Sequence, residues 1–401
     1  MDLSYSAEYE KFRGEVKAFL AGSWPLRGDE AKLPGEKRAA LFRERAIAAG
    51  FLARSIPKRY GGSEQAADVL KAQIIRDEFA RARAPGEMAG IGPSMLVPTL
   101  LEKGSEWQKE RFIAPTIRGE IVWCQGYSEP GSGSDLASLQ TKAELRGDEW
   151  VINGQKIWTS GAHRADYMFC LCRTEPAAQK HGGISYLLLS MKQPGIEVRP
   201  LRQMTGAADF NEVFFTDART PKDWIVGKRG EGWLVSRTTL KHERNMIGDA
   251  ANALATFQSL VSLAQRTTRA GKPAIQDPAI RQRLVQLEGY VRSHQYSGYR
   301  QLTKAAKSQD PGRVQLMNKL TSTNIGNEIA KLALDLLGDD GLYEPGERTL
   351  GAGPRSNAQW VGQFMWSLGS AVAGGTANIQ RNVIGERGLG LPRDAAASAK
   401  G

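Results

Sequence analysis

One acid and one loop of this chain have the residue types and spacing to do chemistry. Leu240, Glu243, Ile247, Ala250 and Leu254 recur at three- and four-residue intervals, so a helix through them carries them on one face. Glu243 interrupts that apolar stripe, and its neighbours one turn away, Thr239 and Ile247, offer no counter-ion. A carboxylate placed so is partly desolvated and its pKa rises, which suits a general base. A structural ion pair with a cation from another helix produces the same pattern, and the spacing leaves both readings open. The loop is Trp123-Cys124-Gln125-Gly126-Tyr127-Ser128-Glu129-Pro130-Gly131-Ser132-Gly133-Ser134-Asp135-Leu136. It is dense in small residues and hydroxyls, where backbone amides can approach a ligand and hydrogen-bond a phosphate or the edge of a flat ring. An ordinary solvated turn has the same composition.

Other chemistries lack their signatures. There is no Gly-x-Gly-x-x-Gly between a strand and a helix, no Walker loop, no His-Glu-x-x-His and no Gly-x-Ser-x-Gly elbow. Three cysteines, Cys124, Cys170 and Cys172, are too few for a disulfide framework, and the four scattered histidines supply no metal site beside them. Cys170 and Cys172 stand one residue apart in a strand-like run and would share a face, which points to packing. The net charge of +11 invites nucleic-acid binding, but the basic residues are dispersed, with no basic-aromatic interleaving. A positive field equally suits a polyphosphorylated small molecule or an acidic protein partner.

These residues must be positioned by more than one folding unit, since 401 residues correspond to two or three domains of ordinary size. Up to about residue 120 the apolar period is helical, with stripes at Phe12, Val16, Phe19 and Leu20, a helix over 65–83, and another from Ser105, where Gln108 completes a capping box. From 121 the period becomes strand-like. The run Trp150–Trp158 reads as a hairpin turning at Asn153-Gly154, and Ile184–Ser190, Ile196–Leu201 and Asn211–Phe215 read as further strands. After Gly232 the helical period returns over about 233–268, 278–307, 313–337, 356–372 and 376–387. The expected fold is an α+β multidomain chain: an N-terminal helical domain over 1–120, a middle antiparallel β-domain or small barrel over 121–231, a C-terminal four-helix bundle over 232–395, and a tail over 396–401. No uncharged apolar stretch is long enough to span a bilayer, and the N-terminus resembles neither a secretory signal nor a mitochondrial presequence. A cytoplasmic protein is expected.

The loop centred on Ser128-Glu129-Pro130-Gly131-Ser132-Gly133-Ser134-Asp135 resembles the first signature of the acyl-CoA dehydrogenase family. In order along the chain, Asn153–Ser160, Pro194-Gly195-Ile196, Phe210–Phe215, Gly375–Asn382 and Gly388–Arg393 resemble later segments of that family. The resemblance implies a helical–β–helical subunit with one FAD, assembled as a homotetramer or homodimer. The implied reaction is oxidation of the Cα–Cβ bond of an acyl-CoA thioester to the trans-2-enoyl-CoA, as in fatty-acid β-oxidation, with an electron-transferring flavoprotein as acceptor. By position it places Ser128 on the flavin ring, Ser134 near the CoA and FAD phosphates, Trp158 beside the isoalloxazine and Ser160 near its reactive nitrogen. Gln125, Tyr127, Gly133 and Thr376 complete the implied cofactor set, and Ser134, Arg244 and Gly374 the substrate set. Without the resemblance, Trp158 would read as core and Ser160 as a turn cap.

Two departures matter. Many family members carry the catalytic glutamate just before the Gly-Thr of the C-terminal segment, where this chain has Gly374 in Ala373-Gly374-Gly375-Thr376. Others carry it on an earlier helix before an arginine, and Glu243-Arg244 matches that placement. Gly374 then leaves room for a bulky, branched or ring-bearing acyl group. The family's phosphate-binding Arg-x-x-Phe-Gly is replaced by Arg266-Thr267-Thr268-Arg269-Ala270-Gly271, so Arg266 and Arg269 share that expectation. Leu337-Gly338-Asp339-Asp340-Gly341 sets two acids where the family has Gly-Gly-Asn-Gly, unfavourable near phosphates unless they point away. The competing readings are a subunit of a heteromeric acyl-CoA dehydrogenase, a flavin monooxygenase or oxidase on the same fold and, least, a nucleic-acid-binding protein.

Overall fold

The structure is a computed structural model that describes residues 5–178, 180–247, 250–310, 312–347 and 353–392. Two compact units emerge, one formed by residues up to 199 with 210–239, the other by 200–209 with the residues from 240 onward.

In the first unit, helices α1 (Ala7–Ser23), α2 (Gly35–Ala48), α3 (Val69–Ala82), α4 (Val97–Lys103) and α5 (Glu106–Arg118) precede the strands. Val16, Leu20, Phe42, Ile74, Ile75 and Phe79 form a common apolar core, as the stripe on α1 requires. Asp68 caps α3 by accepting from the amides of Leu70 and Lys71 at 2.9 and 3.0 Å. Ser105 and Gln108 form the expected capping box on α5. The buried Gln108 amide also donates to the carbonyls of Asp223 and Ile225, at 3.1 and 2.9 Å, so one side chain caps a helix and anchors it to the strands.

The strands are β1 (Trp123–Gly126), β2 (Lys142–Arg146), β3 (Glu149–Ser160), β4 (Tyr167–Arg173), β5 (Ile184–Ser190), β6 (Ile196–Leu201), β7 (Phe210–Pro221) and β8 (Ile225–Val226). They form one sheet in the order β6-β7-β3-β2-β4-β5-β8, with β1 beside β4. Most pairs are antiparallel, but β1 runs parallel to β4, from Trp123 opposite Tyr167 to Gly126 opposite Cys170. The three cysteines lie in its core, with Cys170 Sγ 3.6 Å from Cys172 Sγ.

The hairpin expected at Asn153-Gly154 is not there. The chain runs straight through as β3, and the turn lies earlier, where Gly147-Asp148 joins Arg146 to Glu149 with Gly147 at φ 62°. Gly154 is needed for another reason: at φ 147°, a Cβ there would sit 2.6 Å from Thr141 Oγ1. Asn153 meets Asp217 through two bonds of 2.9 Å, so its side chain pins β7 rather than a turn.

The second unit is helical. Helix α6 (Gly232–Ile247) enters it from the first, and α7 (Ala250–Arg266), α8 (Pro278–Ala306), α9 (Val314–Leu337) and α10 (Asn357–Ser370) supply its core, followed by α11 (Ala377–Val383). Phe257, Leu260 and Leu263 of α7 pack with Ile280, Leu284, Leu287 and Val291 of α8, Ile325, Ile329 and Leu332 of α9, and Trp360 of α10. That is the expected four-helix core. The single helix expected over 233–268 is described as α6 and α7, and residues 248–249 lie outside the described residues.

Candidate functional site

A bulge on β3 builds the most unusual surface of the first unit. Lys156 pairs with Val213 and Thr159 with Asn211, so Ile157 and Trp158 together oppose Glu212 alone. An extra residue of this kind bends a strand and re-aims its side chains. Trp158 takes φ 60°, a left-handed conformation that costs a bulky residue about 1–2 kcal/mol. Yet its ring is 60% exposed, edge-on to Phe210 with centroids 6.1 Å apart. The core reading of Trp158 is thereby overturned: the backbone is strained to hold a large aromatic ring outward. Ser160 is also exposed, and Thr159 between them is fully buried.

The hydroxyl-rich loop lies against this bulge. The Ile157 amide donates to the Ser128 carbonyl at 2.9 Å, which sets Ser128 beside Trp158. Tyr127 is buried, its ring edge-on to Phe169 and Tyr186. Gln125, half-buried on β1, stands opposite Phe169. Glu129 and Ser132 exchange two backbone bonds of 2.9 Å, and the Ser132 hydroxyl donates to the Asp135 carbonyl at 2.8 Å. The loop therefore holds its own shape while Gly131, Gly133 and Ser134 remain exposed. Beyond their chain neighbours, no described atom comes within 4 Å of where a Cβ would stand on either glycine, so a ligand can approach the backbone closely there. Ser128, Trp158 and Ser160 come together, with Gly133 and Ser134 further along the same loop.

Sequence reasoning missed the pair that anchors this arrangement. Lys156 is fully buried and donates to Glu129 Oε1 at 2.8 Å and to the Tyr127 carbonyl at 3.1 Å. The Glu129 carboxylate also accepts the amides of Gln140 and Thr141 at 2.6 and 2.9 Å. Burial pushes the Glu129 carboxyl up, but Lys156 and the hydrogen-bond donors outweigh it and hold the carboxyl below its usual value. The available signal was a lysine at an inward position of an alternating strand, which demands a buried acid.

In the second unit, Gly374 and Gly375 form a turn with φ of 63° and 95°, and Thr376 caps α11 by accepting the Ile379 amide at 3.2 Å. Lys319 of α9, 3% exposed, donates to the carbonyls of Ala371 and Gly375 at 3.2 and 2.8 Å. A turn built on two left-handed glycines thus sits where a longer side chain would be strained. Arg269 is 3.6 Å from Asp277, and Arg266 is exposed in the last turn of α7. Asp340 accepts from the Asn357 amide at 3.0 Å. Glu243 and Arg244 belong to α6, but their side chains lie outside the described residues.

The surface around Trp158 fits a flat heteroaromatic cofactor. It offers an exposed ring for a planar face, hydroxyls at Ser128 and Ser160, and open loop amides for a polar edge or a phosphate. Among the described residues no helix is long and apolar enough to cross a membrane, and no cluster of three or more His, Cys, Asp or Glu residues could hold a metal ion.

Comparison with known proteins agrees in order and extent. The models of the N-terminal, middle and C-terminal domains of acyl-CoA dehydrogenases match residues 6–120, 124–218 and 230–389. The acyl-CoA dehydrogenase IpdE1 of Mycobacterium tuberculosis is 40% identical over 402 residues, covering 97% of this chain and 99% of its own. IpdE1 of Mycolicibacterium smegmatis is 38% identical, covering 96% and 99%. Among solved structures, the Tcur3481-Tcur3483 steroid ACAD superposes with a TM-score of 0.77 at 28% identity, covering 98% of this chain and all of that one. The ChsE4-ChsE5 complex from M. tuberculosis superposes at 0.76 and 28%, with the same coverage.

Proposed function

The chain belongs to the acyl-CoA dehydrogenase family, a family of flavin-dependent oxidoreductases, and from that premise we propose that it binds FAD and dehydrogenates a bulky, ring-bearing acyl-CoA to its trans-2-enoyl-CoA. The observation that carries the cofactor assignment is Trp158, a solvent-exposed ring on a left-handed bulge with Ser128 and Ser160 beside it. Trp158 would lie beside the isoalloxazine, Ser128 and Ser160 would hydrogen-bond the ring, and Gln125 and Tyr127 line the same stretch. Gly133, Ser134 and Thr376 take the phosphate-bearing parts, with Ser134 shared by the substrate's CoA. FAD, when bound, supplies the acceptor for the hydride that leaves the β-carbon.

Glu243 is the proposed general base. It takes the α-proton of the thioester and holds it as a neutral carboxyl, a role favoured by its spacing within an apolar stripe of the sequence and by the absence of a carboxylate at Gly374. Arg244 orients the thioester or a neighbouring acid. Gly374, which has no side chain where many family members carry the glutamate, makes room for ring-bearing acyl groups, in keeping with one similar structure being named a steroid ACAD. The domain boundaries go with this reading: 1–120, 121–231 and 232–395, with a tail at 396–401. We place the protein in the cytoplasm, as a homo-oligomer that passes electrons to an electron-transferring flavoprotein. A second reading, a heteromeric assembly, is favoured by one finding: the two structures compared above are named as pairs of proteins, Tcur3481 with Tcur3483 and ChsE4 with ChsE5.

The test is the visible spectrum of the purified protein, titrated without oxygen against a panel of CoA thioesters. A bound flavin that bleaches with ring-bearing thioesters is expected. Absence of flavin, or bleaching confined to short straight chains, contradicts the proposal.

A further inference from the structure

The fully buried Lys156 and its partner Glu129 lie 27 residues apart, and neither faces the exposed surface around Trp158. Each nevertheless sits next to a residue that does. Lys156 is the last regularly paired residue before the bulge, one residue from Ile157 and two from Trp158. Glu129 follows Ser128 directly, and the Tyr127 carbonyl on its other side receives the second bond from Lys156. The Ile157-to-Ser128 backbone bond of 2.9 Å closes the small frame these contacts make. Two segments that the sheet does not pair there are thus joined by one ammonium, one carboxylate and one amide. The carboxylate extends the frame to the start of β2 through the amides of Gln140 and Thr141. At this place in the sheet the lysine ties the segment that carries Ser128 to the strand that carries the outward ring.

We propose that Lys156 and Glu129 are positioning residues that hold Ser128 and Trp158 at the separation the cofactor needs, so that the pair sets FAD affinity apart from overall stability. The proposal rests on the assignment of the flavin to this surface. Removing one partner leaves a buried charge uncompensated and destabilises the whole unit, whereas replacing both with neutral groups of similar shape is tolerated far better. The informative variant is therefore Glu129→Gln with Lys156→Met together; Glu129→Gln alone keeps a neutral acceptor for Lys156 but leaves its buried charge uncompensated, and is expected to be the less stable of the two.

The experiment measures thermal melting of the FAD-free proteins, FAD affinity by equilibrium dialysis, and quenching of Trp158 fluorescence by FAD, referenced to Trp158→Phe. The double variant is expected to melt within a few degrees of wild type while binding FAD about tenfold or more weakly, with the Trp158 quench reduced. Glu129→Gln alone is expected to weaken affinity in the same direction at temperatures where circular dichroism shows it folded. Should one of the two variants not fold, the one that circular dichroism shows folded decides. A folded variant with wild-type affinity and quench overturns the positioning role and leaves the flavin assignment standing. A wild-type protein that binds FAD without quenching Trp158, or does not bind it, removes both.

Discussion

Replacing Trp158 with glycine separates its structural cost from its binding role. The residue is 60% exposed, so about two-fifths of its surface is covered. A tryptophan buries about 150–250 Å² at most, which leaves about 60–100 Å² here, worth about 2 kcal/mol at ~25 cal/mol per Å². Glycine at φ 60° relieves about 1–2 kcal/mol of left-handed strain, and its freedom in the unfolded chain returns about 0.5–1 kcal/mol of the loss. The terms nearly cancel, and Trp158→Gly should destabilise the FAD-free protein by about 1 kcal/mol, a shift of a few degrees in melting temperature. Binding should respond more strongly. An aromatic stacking contact on a flat ring is worth about 1–3 kcal/mol, so FAD affinity should fall roughly 5- to 150-fold, with Trp158→Phe intermediate. Thermal melting paired with equilibrium dialysis reads both numbers. A loss of stability above about 4 kcal/mol would mean the ring is core after all, and unchanged FAD affinity would refute its place beside the cofactor.

Other expectations concern stability and selectivity. Lys156 holds the buried Glu129 carboxyl below its usual value against the upward pull of burial. Its stabilisation is therefore full above the ordinary glutamate range near ~4.3 and is lost as pH falls through the lower folded value. Melting from about pH 7 to about pH 3 should show wild type losing its advantage over Glu129→Gln as the pH drops; an advantage independent of pH contradicts the assignment. Gly375→Ala should destabilise by about 1–3 kcal/mol, because φ is 95° and the new methyl would lie 2.8 Å from Gln380 Nε2. Thr376→Ala should cost about 1 kcal/mol through the lost cap on α11. Urea titration checks both, and wild-type midpoints would exclude the roles given to that turn. If the Gly374 position opens the pocket, Gly374→Leu should cut turnover of ring-bearing thioesters more than of straight-chain ones; equal losses would show only a damaged fold.

Helices and most strands were legible because their signals are local. The capping box at Ser105, the apolar stripe on α1 and the strand pattern in β7 each lie within one element. What failed depended on partners far away in sequence. Asn153-Gly154 has the composition of a turn, but Asn153 is committed to Asp217 and Gly154 to Thr141, so the strand continues and Gly147-Asp148 turns instead. The outward aim of Trp158 depends on a bulge defined against β7 and could not be read from β3 alone. The Glu129–Lys156 and Lys319–Gly375 contacts span 27 and 56 residues and leave no periodic trace. The family motif reached Ser128, Trp158 and Ser160 without these partners, since it records which residues recur and not what holds them.

The most direct test of the proposed chemistry is an anaerobic titration of Glu243→Gln with the thioester that bleaches the wild-type flavin fastest. A flavin that stays bound, binds the thioester and does not bleach is the predicted result, because the neutral amide cannot take the α-proton. Bleaching at the wild-type rate would show that another group removes that proton.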